Sequence, residues 1–279
     1  MEGFAGKVTV VTGAGSGIGR ALAEELARSG ARLAISDVNS DGLSETEARV
    51  KAIGAPVKCD HLDVTQRERF FSYAEQVVDH FGGVNQIYNN AGIAFFGEVA
   101  DSEFDDFERV MNVNYWGVVN GTKAFLPHLI ASGDGHVVNV SSIWGVFAAP
   151  GQSAYNSAKF AVRGFTEALG QEMMLSGDPV KVTTVYPSGV KTAIARNATG
   201  AKGLNMSELA AMFDKDLAKG SPAHAARGIL KGVRKGRTRV LIGPGARTFD
   251  LVVRLTGGGY QRLFAPVTGR LMPQPDAAR

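Results

Sequence analysis

The 279-residue sequence has a single cysteine, Cys59. No intrachain disulfide can form, which sets aside the small disulfide-stapled folds and suits a reducing compartment. Apolar runs are short, and none approaches the roughly 18 residues of a membrane-spanning helix. The first residues, Met1-Glu-Gly-Phe-Ala-Gly-Lys7, carry no signal-peptide pattern, so a cytoplasmic protein is expected. On that expectation the Asn-x-Ser/Thr triplets at Asn120, Asn139, Asn197 and Asn205 are chance matches. His61, His80, His128, His136 and His224 fall at no metal-ligand spacing, and no metal is expected. Internal repeats and linkers are also lacking, and the length suits one large domain with a sizeable core.

Glycine is plentiful, with 35 residues, and much of it sits where apolar runs change character. Lys7-Val-Thr-Val-Val-Thr12 is β-branched and predicts a strand. It breaks into Gly13-Ala-Gly15-Ser16-Gly17-Ile18-Gly19, and Arg20 to Arg28 has helical composition, with Gly30 ending that helix. Further strands are expected at 31–37, 56–60, 84–88, 136–142, 180–186 and 239–242. The intervening helices are expected at about 41–53, 66–81, 104–126 and up to about 175, with Pro127 ending or kinking the third of them. Strands alternating with helices imply a mostly parallel sheet covered on both faces. The expectation is therefore an α/β doubly wound domain with seven strands over residues 1–245. Residues 246–279 form a basic, partly amphipathic extension.

Several stretches carry chemistry. A strand, a glycine loop and a helix N-terminus together make an anion site, where glycines admit a pyrophosphate close to free N–H groups. Asp37 closes the second strand about twenty residues beyond the glycines, where a carboxylate accepts hydrogen bonds from an adenosine ribose and repels a 2′-phosphate. That favours NAD over NADP. Asn89-Asn90-Ala91-Gly92 follows the fourth strand, on the sheet edge where ligands bind. Tyr155-Asn-Ser-Ala-Lys159 places a phenol and an ammonium one helical turn apart. A cation beside a phenol favours the phenolate and brings its pKa of about 10 towards a useful range. Ser142, at the end of the fifth strand, could hydrogen-bond a substrate oxygen.

Taken together, Thr12-Gly13-x-x-x-Gly17-x-Gly19, Asn89-Asn90-Ala91-Gly92, Asn114, Ser142 and Tyr155-x-x-x-Lys159 resemble the short-chain dehydrogenase/reductase family, in order, over about residues 6 to 192. The resemblance implies a Rossmann-like fold and an NAD(H)-dependent oxidoreductase. Tyr155 would be the general acid/base, Lys159 would hold the nicotinamide ribose and lower the phenol's pKa, and Ser142, rather than Ser141, would bond the reacting oxygen. Asn114, with Asn112 as its rival, would position a relay water. Gly13, Ser16, Gly17, Ile18 and Gly19 would cradle the cofactor. Asp63 and Val64 would contact adenine, with Asp60 as the alternative, and Asn90, Ala91 and Gly92 would pack along the adenosine side. Pro187, Val190 and Thr192 would reach the nicotinamide carboxamide. Ser188 stands where the family pattern has glycine, and a positive φ there would strain it. The resemblance also implies a homodimer or homotetramer and a mobile substrate lid at about 193–220.

Phe95, Phe96, Ile143, Trp144, Phe147 and Tyr186 suggest an apolar pocket for a bulky hydrophobic secondary alcohol or ketone. The net charge of +3 is uneven: residues 221–279 carry 11 basic against 2 acidic side chains, and the preceding residues 19 against 25. Within this basic end, Phe249, Leu251, Val252, Val253, Leu255, Tyr260, Leu263 and Phe264 surround Arg247 and Arg254. Such segments could form a solvated basic face, cover the pocket or a neighbouring subunit, or contact an anionic membrane peripherally. Nucleic acid is not expected, because these charges lie on no binding motif. Rival readings are a non-catalytic dinucleotide-binding sensor or scaffold, and an NADPH-linked carbonyl reductase, against which Asp37 argues.

Overall fold

The computed structural model describes residues 3–269. Val8–Thr12 (β1) is buried at every position, as a strand covered on both faces must be. Arg32–Asp37 (β2), Val57–His61 (β3) and Gln86–Asn89 (β4) follow, then the two-residue strand Phe95–Phe96 (β5). Gly135–Val140 (β6) and Val180–Pro187 (β7) complete the centre. Thr199–Gly200 (β8) is again two residues long, and Arg239–Ile242 (β9) closes the set. Seven of these strands form one sheet in the order β3-β2-β1-β4-β6-β7-β9, and every pairing in it is parallel. The chain leaves β1 first to one side and then to the other. The crevice beyond the carboxyl ends of β1 and β4 is therefore the topological switch point at which such sheets bind ligands.

The helices are Gly17–Arg28 (α1), Ser40–Ile53 (α2), Arg67–Phe81 (α3), Phe104–Met111 (α4), Gly117–Ala131 (α5), Ser153–Ser176 (α6), Ala193–Arg196 (α7), Met206–Met212 (α8) and Pro222–Arg234 (α9). Leu22 and Leu26 of α1 and Ile229 of α9 share one core with Leu33 and Ile35 of the sheet. A second core holds Phe70, Tyr73 and Phe125 from α3 and α5, their rings edge-on at 5.9–6.3 Å, the arrangement aromatic quadrupoles favour. The doubly wound expectation holds, with helices on both faces of the sheet.

Three local expectations need correction. Pro127 does not end its helix, since α5 runs through it to Ala131. The carbonyl it leaves without a helical donor belongs to Lys123, a residue exposed to solvent. The long helix is instead interrupted earlier, by a π-turn at Asn112–Trp116. The small parallel pair β5–β8 was not anticipated, because two-residue strands have no periodicity to read.

Ser188 is unstrained. Among the described residues no non-glycine has a positive φ, and Gly189 takes that conformation instead, at +54°. Beyond β9, Ala246–Thr256 (α10) and Tyr260–Gly269 (α11) form a cap. It rests on the loop after β6 through Phe147, Phe249, Tyr260 and Phe264. In the described residues the extension packs over the pocket with Arg247 and Arg254 left on its exposed face. Residues 270–279 of that extension lie outside the described residues.

Candidate active site

The glycine loop is held tightly. A Cβ on Gly19 would overlap the carbonyl oxygen of Gly13, and one on Gly13 would come within 2.7 Å of Ala91 Cα. Only hydrogen fits at either place. Ser16 stands at the N-cap of α1 without making a side-chain capping bond, so the first N–H groups face the cleft unclaimed by it. Thr12 fixes the neighbouring loop: its Oγ1 accepts from the N–H groups of Asn90 and Ala91, each at 3.1 Å. The amide of Asn90 in turn donates to the carbonyls of Thr12 and Gly13 at 3.0 and 3.1 Å.

Asp37 folds back on the same loop. Its carboxylate accepts from Gly15 N at 2.8 Å and from Asn39 N at 2.9 Å. Arg20, which sequence reading left aside, braces the far side. Its guanidinium donates to Gly15 O and Thr46 Oγ1 and pairs with Glu45 at 2.8 Å. With its donors committed in this way, Arg20 is no free cation at the mouth. Asp63 accepts from both the N–H and the hydroxyl of Thr65, at 2.9 and 2.8 Å.

At the other end of the cleft, Ser142 caps a short turn over Ile143–Gly145, accepting from Trp144 N at 3.2 Å. Ser141 lines the cleft too, but its hydroxyl is committed to the Lys159 carbonyl, to which it donates at 2.8 Å, which favours Ser142 as the serine for a substrate oxygen. Lys159 is 2% exposed, and its Nζ donates to Val140 O at 3.1 Å. That ammonium lies 5.6 Å from the Tyr155 ring centre. Burial pulls the Lys159 pKa down to about 8 and pushes the Tyr155 phenol up to about 12, against a hydrogen bond with Ser142 that lowers it. Desolvation dominates the phenol's shift, and Lys159 is not among its causes. Asn114 is fully buried. Its Oδ1 accepts from Ile93 N at 2.8 Å and its Nδ2 donates to Ile93 O at 2.9 Å.

One continuous cleft of about 1420 Å³ joins these parts. It is lined by Gly13, Ser16, Gly17 and Ile18, by Asp37, Asp63 and Val64, and by Asn90, Ala91 and Gly92. Ser142, Tyr155, Lys159, Pro187, Val190 and Thr192 complete that set. Gly19 and Asn114 lie behind its wall. The structure adds Arg109, whose guanidinium donates to Thr199 Oγ1 at 2.5 Å and so ties α4 to β8. Its sequence context, an amphipathic helix, carries no signal for that contact. Val267 and Thr268 of α11 also line the cleft and were not anticipated.

The short chain dehydrogenase family model matches residues 7–203. The chain belongs to the short-chain dehydrogenases. It is 58% identical to SadH of Mycobacterium tuberculosis, which bears an oxidoreductase's name, across 98% of this chain and 99% of that one. It is 36% identical to estradiol 17-beta-dehydrogenase 11 of Macaca fascicularis, over 72% of this chain and 68% of the relative. Among solved structures, a short chain dehydrogenase/reductase from Burkholderia phymatum in complex with NAD superposes with a TM-score of 0.85 at 28% identity. That match covers 94% of this chain and 97% of the other. The short-chain dehydrogenase match ends at residue 203, so α8 to α11, including the cap over the cleft, lie beyond it. Among the described residues no helix is long and apolar enough to cross a membrane, and no cluster of possible metal ligands occurs.

Proposed function

We propose that this short-chain dehydrogenase is an NAD(H)-dependent oxidoreductase that interconverts a secondary alcohol and a ketone with a bulky apolar body. The observation that carries the reading is the shared cleft. It has Asp37 and the glycine loop at one end and Ser142, Tyr155 and Lys159 at the other, beside Phe96, Ile143, Trp144 and Phe147. The residues present fit NAD: the loop is closed to any side chain, and the carboxylate of Asp37 would repel a 2′-phosphate. A complex with NAD in the Burkholderia relative agrees with this.

Bound NAD would supply the hydride acceptor. Around it, Gly13, Ser16, Gly17, Ile18 and Gly19 would form the pyrophosphate cradle, Asp63 and Val64 would face adenine, and Asn90, Ala91 and Gly92 would pack along the adenosine. Pro187, Val190 and Thr192 would meet the carboxamide, and Lys159 the nicotinamide ribose. Ser142 would donate to the substrate oxygen and hold it beside Tyr155. In alcohol oxidation Tyr155 would take the hydroxyl proton; in ketone reduction it would return it. The amide of Asn114 is engaged by Ile93, so a relay water would rest on its main chain within the π-turn, a backbone form often found at functional sites.

Absorbance of reduced nicotinamide, followed with NAD and NADP across secondary alcohols from small polyols to sterols, tests the assignment. Turnover with NAD and lipophilic alcohols supports it; preference for polyols or for NADP sinks it. Two further parts of the reading concern the surface. Phe104, Trp116 and Phe160 stand exposed on α4, the π-turn and α6, which supports a homodimer or homotetramer, checked by sedimentation velocity. Leu251 and Leu255 stand exposed on α10 beside Arg247 and Arg254, which supports peripheral contact with an anionic bilayer. Failure to sediment with anionic vesicles at physiological salt would remove that contact.

A further inference from the structure

The cap formed by α10 and α11 is built onto the two loops that carry the reactive end of the cleft. Ser188 stands in the slot where the family pattern has glycine. Its hydroxyl donates to Pro244 O at 2.9 Å, and its N–H donates to Ile242 O at 2.8 Å. The strand end beside the site is thus tied to the start of the cap. On the other side, Tyr260 Oη accepts from Ala148 N at 3.2 Å, in the loop after Ser142. Asp250 of α10 pairs with Arg239 of β9 at 2.8 Å and with Arg254 at 2.9 Å. Phe147 meets Phe264 at 5.0 Å and Phe249 at 5.2 Å between ring centres. Phe147 also shares its apolar cluster with Ile143, one residue beyond Ser142.

The cap does more than pack. Phe249, Leu263, Phe264 and Val267 line the same cleft as Tyr155 and Trp144. Leu263 and Val267, one helical turn apart, are 55% and 61% exposed. Two aliphatic side chains left open on a cleft wall gain free energy when an apolar ligand covers them. They lie beyond residue 203, outside the segment that the family model matches.

We propose that the α10–α11 cap is the substrate-selecting wall of the enzyme. Leu263, Val267, Phe249 and Phe264 bind the alkyl body of the alcohol or ketone, away from its reacting carbon, and Ser188 and Tyr260 are positioning residues that hold the wall in register with Tyr155. This rests on the dehydrogenase reading given above and adds the residues that choose among its substrates.

The test is a homologous series from 2-butanol to 2-dodecanol with NAD, comparing the unmodified protein with Leu263→Glu and Tyr260→Phe. For the unmodified protein, kcat/KM rises with chain length, by up to about fourfold for each methylene that reaches the wall. Leu263 is exposed enough for glutamate to fold in its place. In Leu263→Glu the ratio of kcat/KM for 2-dodecanol to that for 2-butanol falls ~10-fold or more, through KM, while NADH affinity is retained. Tyr260→Phe lowers the same ratio in the same sense, as a displaced wall requires and a purely structural tyrosine does not. If the unmodified protein shows the length dependence and Leu263→Glu keeps it, the cap assignment is overturned and the dehydrogenase reading stands. If the unmodified protein binds NADH but turns over no member of the series or of the wider alcohol panel, both fall.

Discussion

Asn114 and Ile93 exchange two hydrogen bonds: the Ile93 N–H donates to Asn114 Oδ1 at 2.8 Å, and Asn114 Nδ2 donates to the Ile93 carbonyl at 2.9 Å. The bond pair fixes the segment after Asn90-Ala91-Gly92 against the π-turn. A Cβ on Gly92 would stand 2.9 Å from the same amide oxygen. Replacing Asn114 by Leu keeps the volume and leaves the N–H and C=O of Ile93 unpaired. A loss of about 1–3 kcal/mol in unfolding free energy is expected from urea titration, together with weaker NADH binding as the Gly92 loop loosens. Unchanged stability would mean that the pair is dispensable.

The pH dependence of turnover should follow the phenol. Tyr155 is pushed up to about 12 by burial, and its hydrogen bond with Ser142 opposes that rise. Alcohol oxidation needs the deprotonated form, so its kcat/KM should increase with pH along a limb whose apparent pKa belongs to the coupled tyrosine–lysine unit. In Ser142→Ala the lowering bond is gone, and the limb should shift to higher pH as well as drop in height. A limb that stays in place would separate Ser142 from the phenol.

His136 is a conformational titration site remote from the chemistry. It is 4% exposed, meets Thr183 Oγ1 at 2.7 Å, and has its pKa lowered by burial to about 4 from the usual 6.5. Between those values the unfolded chain binds more protons, so stability is full above about pH 6.5 and is lost as pH falls towards 4. The loss from this group amounts to about 3 kcal/mol at most. Denaturant titrations at pH 7 and pH 4.5 should show it, and His136→Gln should flatten the difference.

On the proposed function, Asp37 would set the choice of dinucleotide. Asp37→Asn keeps the shape while removing the charge, so the preference for NAD over NADP should narrow by at least ~10-fold, read as the ratio of kcat/KM values. Arg20 remains engaged by Glu45, Gly15 and Thr46, so a full reversal is not expected.

Much of the architecture is legible in the sequence because the parallel sheet demands it: β1 reads as β-branched and is buried throughout, and the glycine loop breaks it where the backbone must turn. Residues lining the cleft were equally legible where short motifs follow strand ends, as at Asp37, Asn90 and Ser142. What sequence could not show depends on packing across long separations. The π-turn at Asn112–Trp116 lies inside a continuous helical pattern. The Ser188 hydroxyl serves a carbonyl 56 residues away, so the departure from glycine reads as a defect until the cap is seen. The Tyr155 phenol is raised because its surroundings are dry, which the one-turn spacing to Lys159 does not reveal.

The central claim is that Tyr155 moves the proton in a site otherwise built to hold NAD. Its most direct test is Tyr155→Phe, measured side by side for turnover of the best alcohol with NAD and for NADH binding by fluorescence titration. Loss of turnover by about three orders of magnitude or more, with NADH affinity within about threefold of the unmodified protein, is the result this account predicts. Turnover that survives the change would contradict it.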